Sequence, residues 1–227
     1  MTNLASVRPR LYVDSAEVDR VASLLNAGLV HGVTTNPTIL ARGGKVAGDI
    51  PELYARWESE GAREIFFQTW GGDTAAYLRN AEALIALGER VVVKVPATAA
   101  GFAAARWLAA QGVTVLVTAV YSVAQALTCA TLGVAYIAPY LGRMRDAGMD
   151  GDGLISAMQA VCAGTDTNVL AASLRSAADI VALRLADVPY FTAAPSVIEE
   201  MLFHAVSETS AAEFDAEMAR LSVPLVP

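Results

Sequence analysis

Apolar, β-branched runs alternate with helix-patterned stretches eight times along this chain, in units of roughly 25 residues. Strict alternation of this kind calls for a parallel sheet, because parallel neighbours need a helical crossover and cannot be joined by a tight turn. The strand-like runs are 11–14, 32–36, 65–69, 91–96, 113–118, 135–140, 168–173 and 189–192. Between them lie stretches with core residues at helical spacing, many stopped by a glycine such as Gly28, Gly88, Gly112 or Gly133. Ser15 is placed to cap the first helix, and Asp73 or Thr74 the one after the third strand. After the sixth strand a polar, glycine-rich loop is expected to run to about residue 153. Residues 209–221 form one further helix outside the repeat.

Eight such units predict an α/β protein of the (β/α)8 TIM-barrel type with an additional C-terminal helix, in a single domain spanning 1–227. An open doubly wound sheet is the alternative, but no glycine-rich dinucleotide fingerprint follows any strand. Hydrophobic residues make up 55% of the chain and charged residues 17%, which suits strands buried on both faces and argues against disorder.

Barrel active sites lie at the C-terminal ends of the strands. Here those ends carry Asp14, then Thr34, Thr35 and Asn36, then Gln68, Lys94, Thr118, Tyr140 and Ser173. Any one of them is explained by capping of the next helix. All of them at one mouth point to a shared catalytic site. Side chains alternate across a strand, so an inward Lys94 sends Val91, Val93 and Val95 out to the helices. The same parity turns Tyr12 and Asp14, Phe66 and Gln68, and Leu116 and Thr118 inward together.

Lys94 sits inside the run Val-Val-Val-Lys-Val-Pro. A buried ammonium is costly unless paired, and desolvation favours the neutral amine. A neutral amine is a nucleophile towards carbonyls and a Schiff-base catalyst. The competing reading is a side chain that snorkels from the strand end to water.

The net charge of −7, with no basic run, argues against a nucleic-acid partner. No apolar run reaches the ~18 residues that cross a bilayer, so no membrane partner is expected. The N-terminal MTNLASVRPR lacks the apolar core of a secretory signal, which suggests a cytoplasmic protein. Cys129 and Cys162 lie in helical patterns without metal-ligand spacing and read as small buried hydrophobes. His31 and His204 are too scattered to suggest a metal site, and none is expected.

The segments LYVDS, GVTTNPTIL, FFQT, VVVKVPAT, LVTAVYS, YIAPYLGR and VLAASLRS, in that order from residue 11 to about 203, resemble the successive motifs of the transaldolase family. Within it they resemble most its short branch, the fructose-6-phosphate aldolases. The resemblance implies a class I mechanism without metal or organic cofactor, in which Lys94 forms the Schiff base. It implies that Asp14 handles the proton of the substrate C4 hydroxyl, that Asn36 bonds the dihydroxyacetone unit, and that Gln68 and Thr118 position a water. Tyr140 shares the acid–base work, and Thr34 and Ala138 line the substrate site. Ser173, Arg143 and Arg175 meet the phosphate of a small sugar phosphate, a role that suits the arginine fork. Family transaldolases usually carry Glu in place of Gln68 and Phe in place of Tyr140, so this pair resembles the aldolase, as does Ala138. Cleavage or formation of fructose 6-phosphate or a similar sugar phosphate is therefore the expected activity. Transfer of a dihydroxyacetone unit between sugar phosphates is the first alternative, and a sugar-phosphate-binding barrel without turnover the second.

Two segments depart from the family pattern. Thr69-Trp70-Gly71-Gly72 places a tryptophan beside the expected site, where it could narrow it. Arg145 stands where the family commonly has an acidic residue, and its loop is expected to alter the phosphate end. The helix 209–221 presents Phe214, Met218 and Leu221 on one face. Its plain reading is packing under its own barrel. The resemblance implies packing on a neighbouring subunit of a homo-oligomer, a pentamer or decamer.

Overall fold

A computed structural model describes residues 8–221. Eight parallel strands close into a barrel in sequence order: β1 Arg10–Asp14, β2 Gly32–Thr34, β3 Glu64–Gln68, β4 Val91–Pro96, β5 Val115–Val120, β6 Tyr136–Pro139, β7 Asn168–Leu174 and β8 Tyr190–Ala193. This is the (β/α)8 barrel that the alternation predicts. The crossovers carry α1 Val18–Asn26, α2 Pro37–Arg42 and α3 Ile50–Ser59, then α4 Thr74–Ile85, α5 Ala99–Ala110 and α6 Val123–Leu132. After β6 come α7 Leu141–Asp146 and α8 Gly151–Cys162, then α9 Ala177–Leu185, α10 Pro195–Leu202 and the extra helix α11 Ala205–Leu221.

The strand parity divides the apolar residues into two separate cores. Val13, Val33, Ile65, Phe67, Val91, Val93 and Val95 face the helices, where Trp57 of α3 stacks on Phe67 at 6.0 Å. Tyr12, Phe66, Val92, Leu116, Tyr136 and Leu170 fill the barrel interior. Gln68 pairs with Lys94 and Thr118 with Ala138 in register, and the register shifts at bulges in the β5–β6 and β7–β8 pairs.

Several expected boundaries move. β5 begins at Val115 rather than residue 113, and a bulge after Thr118 carries it to Val120. Ser15 does not cap α1; its Oγ accepts from the Glu17 amide at 3.0 Å in a local turn, and the helix starts at Val18. Asp73, not Thr74, caps α4, accepting from the Ala76 amide at 2.8 Å. The largest correction concerns the stretch after β6, expected as a loop. Burial of Leu141 and Met144 winds it into α7, Gly148 at φ +71° ends that helix, and Asp150 caps α8 through the Gly153 amide at 3.0 Å.

The N-terminal end of the barrel holds a polar cluster around Glu64. Its carboxylate accepts from the Tyr12 hydroxyl at 2.5 Å and the Tyr136 hydroxyl at 2.8 Å, with His31 at 3.5 Å and Arg10 at 3.6 Å. Burial, and the negative charge of Glu64, hold both tyrosines above the ordinary phenol range. Glu64→Leu removes the acceptor from both hydroxyls, so a loss of about 2–4 kcal/mol of folding stability is expected, read from the urea midpoint. Glu64→Gln, which keeps an acceptor, should recover most of it.

α11 buries no residue against its own chain, and Phe214, Met218 and Leu221 are all exposed. Packing beneath the barrel of the same chain is thus not what this helix does. No helix among the described residues is long and apolar enough to cross a membrane.

Candidate active site

Most of the polar strand ends converge as expected, with Gln68 and Thr118 among the exceptions. They line a cavity of about 460 Å³ at the C-terminal mouth of the barrel. Of the residues singled out from the sequence, Asp14, Thr34, Asn36 and Lys94 line it from the ends of β1, β2 and β4, and Ala138, Tyr140, Arg143, Ser173 and Arg175 from the end of β6, from α7 and from the end of β7. Thr118 stands behind this wall, with its Oγ1 2.6 Å from the Tyr140 hydroxyl. Gln68 pairs with Lys94 in register but opens onto an adjoining apolar pocket of about 340 Å³.

Lys94 is 4% exposed, which disposes of the snorkelling reading. Its Nζ donates to the backbone carbonyl of Thr35 at 2.6 Å. Thr35 is itself fixed, since its amide and hydroxyl both donate to the Phe66 carbonyl, at 3.0 and 2.9 Å. Desolvation lowers the Lys94 pKa, and the negative charge of Asp14 offsets part of that. The amine is thereby biased towards its neutral, nucleophilic form and aimed by a backbone group.

Asp14 is shifted the other way. Burial raises its carboxyl above the usual range, while Lys94, the Thr34 hydroxyl and Arg42 pull it back. Thr34 donates to Asp14 at 2.7 Å and sits 2.6 Å from the Thr192 hydroxyl. With its own proton given to Asp14, Thr34 accepts from Thr192, so a short relay orients the carboxylate. No ion pair of 4 Å or less joins Asp14 to Lys94 among the described residues. Asp14 and Lys94 thus face one cavity with opposite shifts.

Asn36 caps α2, its Oδ1 accepting from the Ile39 amide at 3.0 Å. That leaves its amide N–H groups for a ligand. Tyr140 is raised above the ordinary phenol range by burial, against the Thr118 hydrogen bond. Arg143 lies over its ring at 5.1 Å.

The phosphate end expected from β6 and β7 depends on unusual backbone. Ser173 adopts φ +57° where a bulge shifts the β7–β8 register. Gly142 abuts it so closely that a Cβ would lie 2.7 Å from both the Ser173 carbonyl oxygen and the Arg175 Nε. Arg175 forks onto Asp146 at 2.8 and 2.5 Å. Arg42, Thr38 and Thr192 also line the cavity and were not foreseen. Arg42 ends α2, where a cation ordinarily reads as a partner for the helix dipole, so nothing in the sequence pattern marked it as facing the cavity.

The family described as Transaldolase/Fructose-6-phosphate aldolase matches residues 11–223, nearly the whole chain. The chain belongs to this family. Among its relatives, a protein of Phenylobacterium zucineum (strain HLK1) named "Probable transaldolase" is 34% identical over 93% of this chain and 97% of that protein. One of the same name from Jannaschia sp. (strain CCS1) is 32% identical over 96% of this chain and 100% of that protein. Among solved structures, a mandelate oxidase mutant superposes with TM-score 0.61 at 17% identity, over 87% of this chain and 72% of that one. Thiamine phosphate pyrophosphorylase from Pyrococcus furiosus gives 0.60 at 15% identity, over 84% and 92%. At such identities these two speak for the barrel fold alone.

Both departures from the transaldolase-family pattern resolve structurally. Arg145 points away from the cavity and binds Asp179 at 2.7 Å and Asp152 at 2.9 Å, tying α7 to α8 and α9. It therefore does not line the cavity. Trp70 lines the adjoining apolar pocket with Leu40, Val46, Ile50 and Gln68, and not the Lys94 cavity.

Proposed function

We propose that the protein is a class I aldolase acting on fructose 6-phosphate or a similar sugar phosphate. The observation that carries this reading is the buried Lys94 amine, lowered in pKa, in one cavity with Asp14 and Tyr140. The amine adds to the ketose C2 carbonyl and loses water to give an iminium. Asp14 takes the C4 hydroxyl proton, the C3–C4 bond breaks, and its electron pair passes to the iminium nitrogen as an enamine. Glyceraldehyde 3-phosphate leaves with the new aldehyde carbonyl. Protonation of the enamine carbon, with Tyr140 assisting, and hydrolysis by one water then return dihydroxyacetone and free Lys94. No metal or organic cofactor is called for.

A second reading, transfer of the three-carbon unit to another aldehyde, is favoured by the relatives named as transaldolases. It differs only in what meets the enamine. Borohydride reduction in the presence of dihydroxyacetone or fructose 6-phosphate tests the shared step. A substrate-sized mass on the peptide carrying Lys94 is expected, and no adduct with either compound would overturn both readings. Release of dihydroxyacetone without an acceptor aldehyde then selects the aldolase, and a strict acceptor requirement selects the transferase.

The exposed apolar face of α11 supports a homo-oligomer, in which Phe214 and Met218 pack on a second copy. Light scattering should give a multiple of 23.7 kDa, and a pure monomer at micromolar concentration would sink the idea.

A further inference from the structure

Three arginines line the Lys94 cavity, and they are not equivalent. The fork of Arg175 is occupied by both carboxylate oxygens of Asp146, which also lines the cavity. Arg143 lies on the Tyr140 ring and has no carboxylate partner among the described residues. Arg42 has neither an ion pair nor a hydrogen-bond acceptor among the described residues. Its position is nonetheless fixed through the backbone. Asn36 caps the helix that carries it, Pro37 opens that helix, and Arg42 is its last residue. The next residue, Gly43, is seated so closely on the turn after β1 that a Cβ there would lie 2.9 Å from the Ala16 carbonyl oxygen. The arginine is thereby held on the β1 side of the mouth, and its charge is felt at Asp14.

A phosphate monoester carries a charge of about −1.5 to −2 near neutrality. The group expected to hold it, Arg143 and Arg175 with Ser173, has a net charge of only one once Asp146 is counted. Arg42, whose guanidinium forks onto no carboxylate among the described residues, adds a further positive charge to the same cavity. We propose that Arg42 is a specificity-determining residue of this cavity, supplying the charge that selects a ketose bearing a phosphate monoester over an uncharged one. This rests on the aldolase reading above and names the substrate class of the same site.

The test compares wild type with Arg42→Met and Arg42→Lys. Each is titrated with inorganic phosphate by calorimetry and assayed in the synthetic direction with dihydroxyacetone plus either glyceraldehyde 3-phosphate or glyceraldehyde. Arg42→Met is expected to weaken phosphate binding and to raise KM for the phosphorylated aldehyde at least about 10-fold, the effect of losing one charge-assisted contact. Any effect that passes through the Arg42 charge felt at Asp14 should fall on both aldehydes alike, and the further loss only on the phosphorylated one. Arg42→Lys should recover part of the loss, since an ammonium restores the charge without the fork. Equal losses with both aldehydes, or an unchanged phosphate affinity, would reduce Arg42 to a cation at a helix end and overturn the proposal. Calorimetry requires no turnover. Should wild type form no adduct at Lys94, the aldolase reading falls while the phosphate titration still decides the role of Arg42.

Discussion

Lys94→Met should abolish turnover, by more than about 10⁴-fold in kcat/KM, the scale on which loss of a covalent nucleophile is felt in other enzymes. The fold should survive. Methionine keeps a similar unbranched volume, and Val93 and Val95 on either side pack on the opposite face. The sign of the stability change follows from the lowered pKa. As pH falls below the ordinary lysine value of 10.5, the unfolded chain takes up a proton that the native amine resists, so Lys94 carries a folding cost. That cost is complete below the lowered native value. The variant should therefore be at least as stable as wild type near neutrality, with a melting temperature equal or higher. Full activity in a folded Lys94→Met protein would refute the Schiff-base assignment. In wild type, the acid limb of kcat/KM should lie at a pH below the ordinary lysine range, since that limb reports the free enzyme.

Asp14→Asn should lower cleavage by about 10²–10⁴-fold, the usual worth of a positioned proton acceptor. Adduct formation between Lys94 and dihydroxyacetone should persist, because the amine and its Thr35 carbonyl anchor remain. Loss of the adduct together with cleavage would instead assign Asp14 to iminium formation. Asp14 carries its own folding cost, which sets in as pH rises above the ordinary carboxylate value of 3.8 and is complete above its raised native value. The asparagine variant should again not be less stable near neutrality. The two groups sense each other's charge, so the stability changes of the double variant should depart from the sum of the single ones.

The barrel was legible because its signal is periodic and redundant. Eight strand–helix units and a two-residue parity turn Asp14 inward together with Lys94 without any knowledge of contacts. α7 was not legible, because six residues are too few for a helical period to register and the following glycines mask it. The anchor of the Lys94 amine is a main-chain carbonyl, and every residue has one, so Thr35 gave no sign of that role. The Glu64 cluster joins residues 52 and 72 positions apart, a coincidence that only the closed register creates. Arg145 misled for the converse reason. A cation where an acid is customary looks like a change of ligand, but two carboxylates outside the cavity claim it.

Beneath the cavity the barrel is filled, by Phe66, Val92, Leu116 and Leu170 and then by the tyrosines on Glu64. Among the described residues, the cavity is therefore closed at its base and opens at the C-terminal mouth of the barrel. On the proposed mechanism, the aldehyde fragment would leave by the mouth that the arginines line, the same way a second aldehyde would arrive. Whether the enamine is quenched or handed on becomes a race between departure and arrival at that threshold. Crowding of it by neighbouring chains or by free phosphate would then change the partition between the two outcomes without touching any atom that makes or breaks a bond.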